Sequence, residues 1–119
     1  MIKSYKDLIV WQKSIKLAVE IFWLTKKFPK EELYGMVLQM RKAAFSIPSN
    51  IAEGYCRNTK LEYIQFLRIA YASAAELETQ LIIAVKTNML TEAQFKSTSA
   101  QINEILPMLN SLIRKIKSS

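Results

Sequence analysis

The sequence predicts an all-α fold, an antiparallel up-down-up-down four-helix bundle, from three observations. Apolar residues recur at alternating steps of three and four along four separate segments, as amphipathic helices require. Gly 2 and Pro 3 are too few for a turn-rich β-sandwich or a glycine-rich phosphate loop. The breaks at Phe28-Pro29, Cys56–Asn58 and Asn88–Leu90 are short, and short loops between long helices make antiparallel neighbours. The 119 residues, half of them apolar, suit one domain spanning 1–119 with a core of its own.

The first helix is expected over 6–27. Leu8, Trp11, Ile15, Ala18 and Phe22 form one face, and Lys6, Lys13, Lys16, Glu20 and Lys27 lie opposite. Ser4 with Asp7 resembles a capping pair at its start. The second helix runs from about Pro29 to Tyr55 on a stripe of Leu33, Val37, Met40, Ala44, Ile47 and Ile51. Pro48 interrupts its hydrogen-bond ladder, which predicts a kink near Ala44–Pro48, and Gly54 is its expected C-terminal stop.

The third helix opens with the capping box Thr59-Lys60-Leu61-Glu62 and runs to about Thr87. Tyr63, Phe66, Ala70, Ala74, Leu77, Leu81 and Ala84 make its stripe. Ile64, Leu67, Tyr71, Ile82 and Val85 widen that stripe, which places the helix at the centre or in an interface. The fourth helix opens with a second box, Thr91–Gln94, and carries Ile102, Ile105, Leu109, Leu112 and Ile116. Pro107 sits inside it and predicts a kink or a split.

Composition excludes much chemistry. Histidine is absent, which removes most general-base, triad and zinc-site arrangements. Cys56 is the single cysteine, so no intrachain disulfide or multi-cysteine metal site can form. It sits by a helix end next to Arg57, and no histidine or second cysteine completes a reactive site. No cofactor motif is present. The expectation is a non-enzymatic, cytoplasmic chain with no signal peptide and no membrane span.

The net charge is +7, and its excess lies near the chain ends. Residues 1–30 hold seven lysines and two acids, and residues 91–119 hold four basic and two acidic groups. The two middle stretches, 31–57 and 58–90, are each neutral. Such basic ends attract nucleic acid, an acidic partner or an anionic surface.

Four blocks carry a family resemblance: DLIVWQK at 7–13, FPKEELYG at 28–35, QMRKAAFSIPSNIAEG at 39–54 and ELETQL at 76–81. Together they resemble the 23S rRNA intervening-sequence proteins, also called S23-like or four-helix bundle proteins. SIPSNIAEG at 46–54 is the most specific block. One departure is Ala72-Ser73, where many members have Gly-Ser. The resemblance implies a bundle that assembles as a homopentameric ring, often encoded within insertions in 23S rRNA genes. It implies no catalytic residue. A related branch serves diversity-generating retroelements, where a basic pentamer binds a reverse transcriptase and nucleic acid.

Two sets of residues are the candidate sites. Lys6, Lys13, Lys16, Lys27, Arg114, Lys115 and Lys117 suit phosphate binding, because cations displace counterions from a polyanion, and ring assembly would add avidity. The lysines also suit the solvated back of an amphipathic helix. The second set, Gln39, Lys42, Ser46, Pro48, Asn50, Glu53, Gly54 and Glu76, suits a structural or assembly motif. Ser46, Ser49 or Asn50 offers a partner to the carbonyl freed by Pro48. Gln39 and Asn50 suit a ligand site as an alternative. Glu76 is expected to bridge to Arg41, Lys42 or Arg68. Trp11 and Phe22 read as core, and Trp23, Phe45 and Tyr71 as interface candidates.

The leading functional expectation is an oligomeric basic bundle that binds nucleic acid, above all structured RNA. The alternative is a protein adaptor that docks a reverse transcriptase. A membrane-surface role for the first helix is compatible with its lysines and Trp23, but the bundle requires its apolar face.

Overall fold

A computed structural model describes residues 1–119 and contains four long helices: α1 (Ile9–Thr25), α2 (Leu38–Tyr55), α3 (Lys60–Lys86) and α4 (Glu92–Ser118). They alternate in direction and form a bundle of 46 × 24 × 20 Å. α1 packs on α2 and α4, and α3 packs on the same two, so α1 and α3 sit on a diagonal. Single 3-10 turns at Tyr5–Asp7 and Lys30–Glu32 and a π-type turn at Leu33–Val37 complete the chain. No helix is long and apolar enough to cross a membrane.

The helix ends follow the side chains that cap them. Thr91 and Gln94 form the expected reciprocal box, at 3.1 and 3.0 Å. Thr59 Oγ1 accepts from Glu62 N–H at 3.2 Å and its hydroxyl donates to the Glu62 carboxylate at 3.0 Å. At the end of α3, Asn88 takes φ 64°. Asn88 N–H donates to Val85 O and Met89 N–H to Ala84 O, a Schellman closure with asparagine in the left-handed position. Ser4 and Asp7 also form a reciprocal box, but on the 3-10 turn. α1 begins two residues after Asp7 with no side-chain cap.

The second helical segment carries a break that its spacing did not announce, at Gly35, whose φ −109° and ψ −105° leave helical space. α2 then runs unbroken through Pro48, which is buried. Leu33, upstream of the break, is exposed. α4 likewise runs unbroken through Pro107. Gly54 does not stop α2 in a left-handed turn, since no glycine has a positive φ. It is buried inside the last turn because α3 crosses there. A Cβ on Gly54 would lie 2.7 Å from Phe66 Cβ and 3.1 Å from Tyr63 O.

The core joins all four helices, with Leu17, Met40, Ile47, Leu67, Leu77, Ile105 and Leu109 fully buried. α1 is rotated relative to the expected seam. Val10, Ser14, Leu17, Ala18, Ile21 and Thr25 are buried, Leu8, Trp11 and Phe22 are half-buried, and Ile15 is exposed. Two hydroxyls make that face acceptable. Ser14 Oγ donates to Trp11 O at 2.8 Å and Thr25 Oγ1 to Ile21 O at 2.7 Å, so neither enters the core unsatisfied. A reading by apolarity alone passes over such positions.

Aromatic side chains close the end where α1 starts. Tyr5 sits edge-on to Trp11 and Tyr55, and Tyr55 sits edge-on to Tyr63. Burial there, with Tyr55 adding to it, pushes the pKa of the Tyr63 hydroxyl up to about 12.

Candidate nucleic-acid interface

The antiparallel fold sorts the expected cations into three places. Lys6 lies beside the start of α1, and Arg114, Lys115 and Lys117 end α4 at the same end of the bundle. Lys3, Arg57 and Lys60 join them there. Lys60 Nζ donates to the Ser119 backbone oxygen, and the Arg57 guanidinium covers the Phe66 ring at 4.7 Å. Lys27 lies at the opposite end with Lys26 and Lys30, near Glu31 and Glu32. Lys26 Nζ stands 5.6 Å from the Trp23 ring centroid, and Trp23 is 59% exposed.

Lys13 and Lys16 occupy the middle and face α4. Lys13 Nζ meets Glu104 Oε2 at 2.8 Å, the one salt bridge within the chain. This contact and the neighbouring Lys16 hold the Glu104 carboxyl below its ordinary range. Glu20 also faces α4, accepting from Ser97 Oγ at 3.2 Å and from Gln101 Nε2 at 2.6 Å. Part of the expected solvent stripe is therefore a polar seam between α1 and α4, and the pair fixes register more than it stabilises an exposed surface.

The basic end has few competing acids. Both oxygen contacts of the Asp7 carboxylate go to backbone N–H groups, from Lys3 at 2.8 Å and Ser4 at 3.2 Å. Glu62 is held by Thr59. None of the cations gathered there pairs with a side-chain carboxylate, and their charge faces solvent. Sequence blocks counted separately hide this cluster. It requires the first and last helical turns, and the α2–α3 loop, to meet at one end.

The second expected set does not act as one site. Gln39, Lys42 and Glu53 are exposed, and Glu76 is exposed with only a long 3.5 Å contact from Gln80. Glu76 makes no bridge to Arg41, Lys42 or Arg68. Arg41 is directed instead to the end of α1, with Nε donating to Thr25 Oγ1 at 2.9 Å and Nη2 to Phe22 O at 3.3 Å. Its guanidinium also lies 4.4 Å from the Phe22 ring centroid.

Ser46 and Asn50 form a compact link between α2 and α3. Ser46 Oγ and Ser73 Oγ are 2.8 Å apart, and Asn50 Nδ2 donates to Ser46 Oγ at 2.8 Å and Ser46 O at 2.7 Å. The carbonyl freed by Pro48 is that of Ala44. The amide therefore serves a different carbonyl from the one expected. Ser73, noted in the sequence only as a small neighbour of Ala72, supplies the α3 half of this link. Ser46→Ala should cost about 1 kcal/mol by leaving the buried Ser73 hydroxyl without its partner. The Ser46→Ala/Ser73→Ala double variant should recover most of that loss in chemical denaturation, and additive losses would deny the pairing.

No group of three or more Cys, Asp or Glu side chains is placed to hold a metal ion. The family model for the 23S rRNA-intervening sequence protein matches residues 6–111. The chain belongs to the 23S rRNA-intervening sequence protein family. A crystal structure of a protein of unknown function, from the S23 ribosomal protein family of Bacteroides thetaiotaomicron VPI-5482, superposes with a TM-score of 0.80 at 28% identity. The match covers 88% of this chain and 98% of that one. No curated protein shows a detectable match. For this family member, SIPSNIAEG at 46–54 is legible as the α2 surface that carries Ser46 and Gly54 against α3, with Asn50 holding Ser46 from its own helix.

Proposed function

We propose that this protein is a non-enzymatic, homo-oligomeric basic bundle that binds structured RNA through the end bearing Lys6, Arg114, Lys115 and Lys117. The observation that carries this reading is the convergence of these cations, none of them paired with a side-chain carboxylate, from opposite termini. A polyanion releases counterions there without first breaking internal ion pairs. The family description, 23S rRNA-intervening sequence protein, associates the family with RNA and supports RNA as the polyanion to test. Lys16 extends the field along α1, Lys27 belongs to a separate basic patch at the opposite end, and Lys13 contributes less because Glu104 neutralises it. A pentameric ring would repeat the basic end and add avidity.

A second reading, docking of a protein such as a reverse transcriptase, draws support from exposed apolar side chains. Phe45 on α2 and Ile69, Ile82 and Ile83 on α3 are all exposed in the single chain. Subunit contacts would use the same side chains, so they favour assembly as much as an adaptor role.

The test is equilibrium binding to a structured rRNA fragment and a matched DNA duplex across a salt series. Wild-type protein should bind with a steep negative log–log slope. Lys6→Glu/Arg114→Glu/Lys115→Glu/Lys117→Glu should weaken binding, with the slope shallower by about one for each phosphate that is no longer neutralised. An unchanged slope removes this surface from the assignment, and equal affinity for both nucleic acids removes the RNA preference.

A further inference from the structure

A groove of about 540 Å³ opens between the start of α1 and the last three turns of α4. Its volume falls within the roughly 300–1,000 Å³ of small-molecule sites. Leu8, Ile9, Met108 and Leu112 supply apolar wall, and Arg114 and Lys115 stand along the same groove. The Arg114 side chain's one hydrogen bond goes from Nη2 to Ser111 Oγ at 3.2 Å, leaving most of its planar fork of donors free.

Apolar wall and unpaired cations in one groove call for a ligand with both characters. We infer that the groove binds an amphipathic carboxylate, its hydrocarbon part along Leu8, Ile9, Met108 and Leu112 and its carboxylate on Arg114 and Lys115. A carboxylate matches the guanidinium fork geometrically and forms charge-assisted bonds with it. The C-terminal end of α4 opposes an anion with about half an elementary charge, but two full positive charges outweigh that. The hydrocarbon part removes exposed apolar wall from water, which neither a bare phosphate nor an RNA backbone does.

Titration of the full-length protein with decanoate, followed by methyl NMR and calorimetry, tests this. Saturable binding is expected, with shifts confined to Leu8, Ile9, Met108 and Leu112, and decanol should bind more weakly. Arg114→Glu/Lys115→Glu should lower affinity about tenfold or more. Met108→Trp should block the groove, with an unchanged far-UV spectrum verifying its fold. Lys6→Gln/Lys117→Gln removes two RNA-binding candidates outside the groove lining without adding negative charge, and should lower decanoate affinity far less than Arg114→Glu/Lys115→Glu while still flattening the RNA salt slope, so the two proposals fail separately. Non-saturating binding, decanol as tight as decanoate, or shifts centred on other surfaces would overturn the inference.

Discussion

Gly54→Ala should destabilise the bundle by about 2 kcal/mol, although alanine is the better helix former. In an exposed helix the same change stabilises by roughly 0.5–1 kcal/mol. Here the new methyl meets Phe66 Cβ at 2.7 Å and Tyr63 O at 3.1 Å. Neither atom is the free end of a flexible side chain. Phe66 Cβ is bonded to the α3 backbone and Tyr63 O is part of it, so relief requires α2 and α3 to part. Overpacking of this kind costs about 1–3 kcal/mol, and separation also weakens the buried contacts beside it. Thermal and denaturant unfolding of Gly54→Ala and Gly54→Ser should both show the loss. A melting temperature equal to or above wild type for Gly54→Ala would show that the helices do not approach this closely.

Arg41→Met should cost about 2–3 kcal/mol, the largest effect expected of any change to a basic residue. Methionine keeps much of the aliphatic stem, so the loss isolates the guanidinium. That group donates to Thr25 Oγ1 and to the Phe22 carbonyl in the last turn of α1, and it stacks on the Phe22 ring. Hydrogen bonds from a charged donor contribute about 1.5–3 kcal/mol, and a partly buried cation–π contact adds about 1 kcal/mol. A cation at a helix C-terminus also complements its dipole. Arg41→Lys should recover less than half of the loss, because an ammonium cannot reproduce the planar fork that spans both acceptors. Full recovery in Arg41→Lys would reduce the interaction to charge alone.

Much of the architecture was legible in the sequence because helical periodicity and capping are local. The four segments, the Thr59 and Thr91 starts and the short loops follow from side chains within one or two turns of each other. The α4 seam was legible for the same reason. Ile102, Ile105 and Leu109 are fully buried, as their spacing requires. The α1 seam was not. Its apolar residues surround much of the helix, and Ser14 and Thr25 turn inward after satisfying their hydroxyls on their own helix. Periodicity cannot weigh a satisfied hydroxyl against an exposed isoleucine.

The helical class, the helix order, the absence of histidine chemistry and the excess of positive charge were all written in the chain. Those properties reside in composition and in spacings shorter than two helical turns. Which charges act together depended on how the helices pack. Packing paired Lys13 with Glu104, sent Arg41 to the end of α1 and left Glu76 without a cation. It also gathered Lys6 with Arg114, Lys115 and Lys117, more than 100 residues apart in the chain. Coulomb forces act through space with a range of about 8–10 Å at ordinary salt, so charge function follows from helix packing rather than from neighbours in sequence.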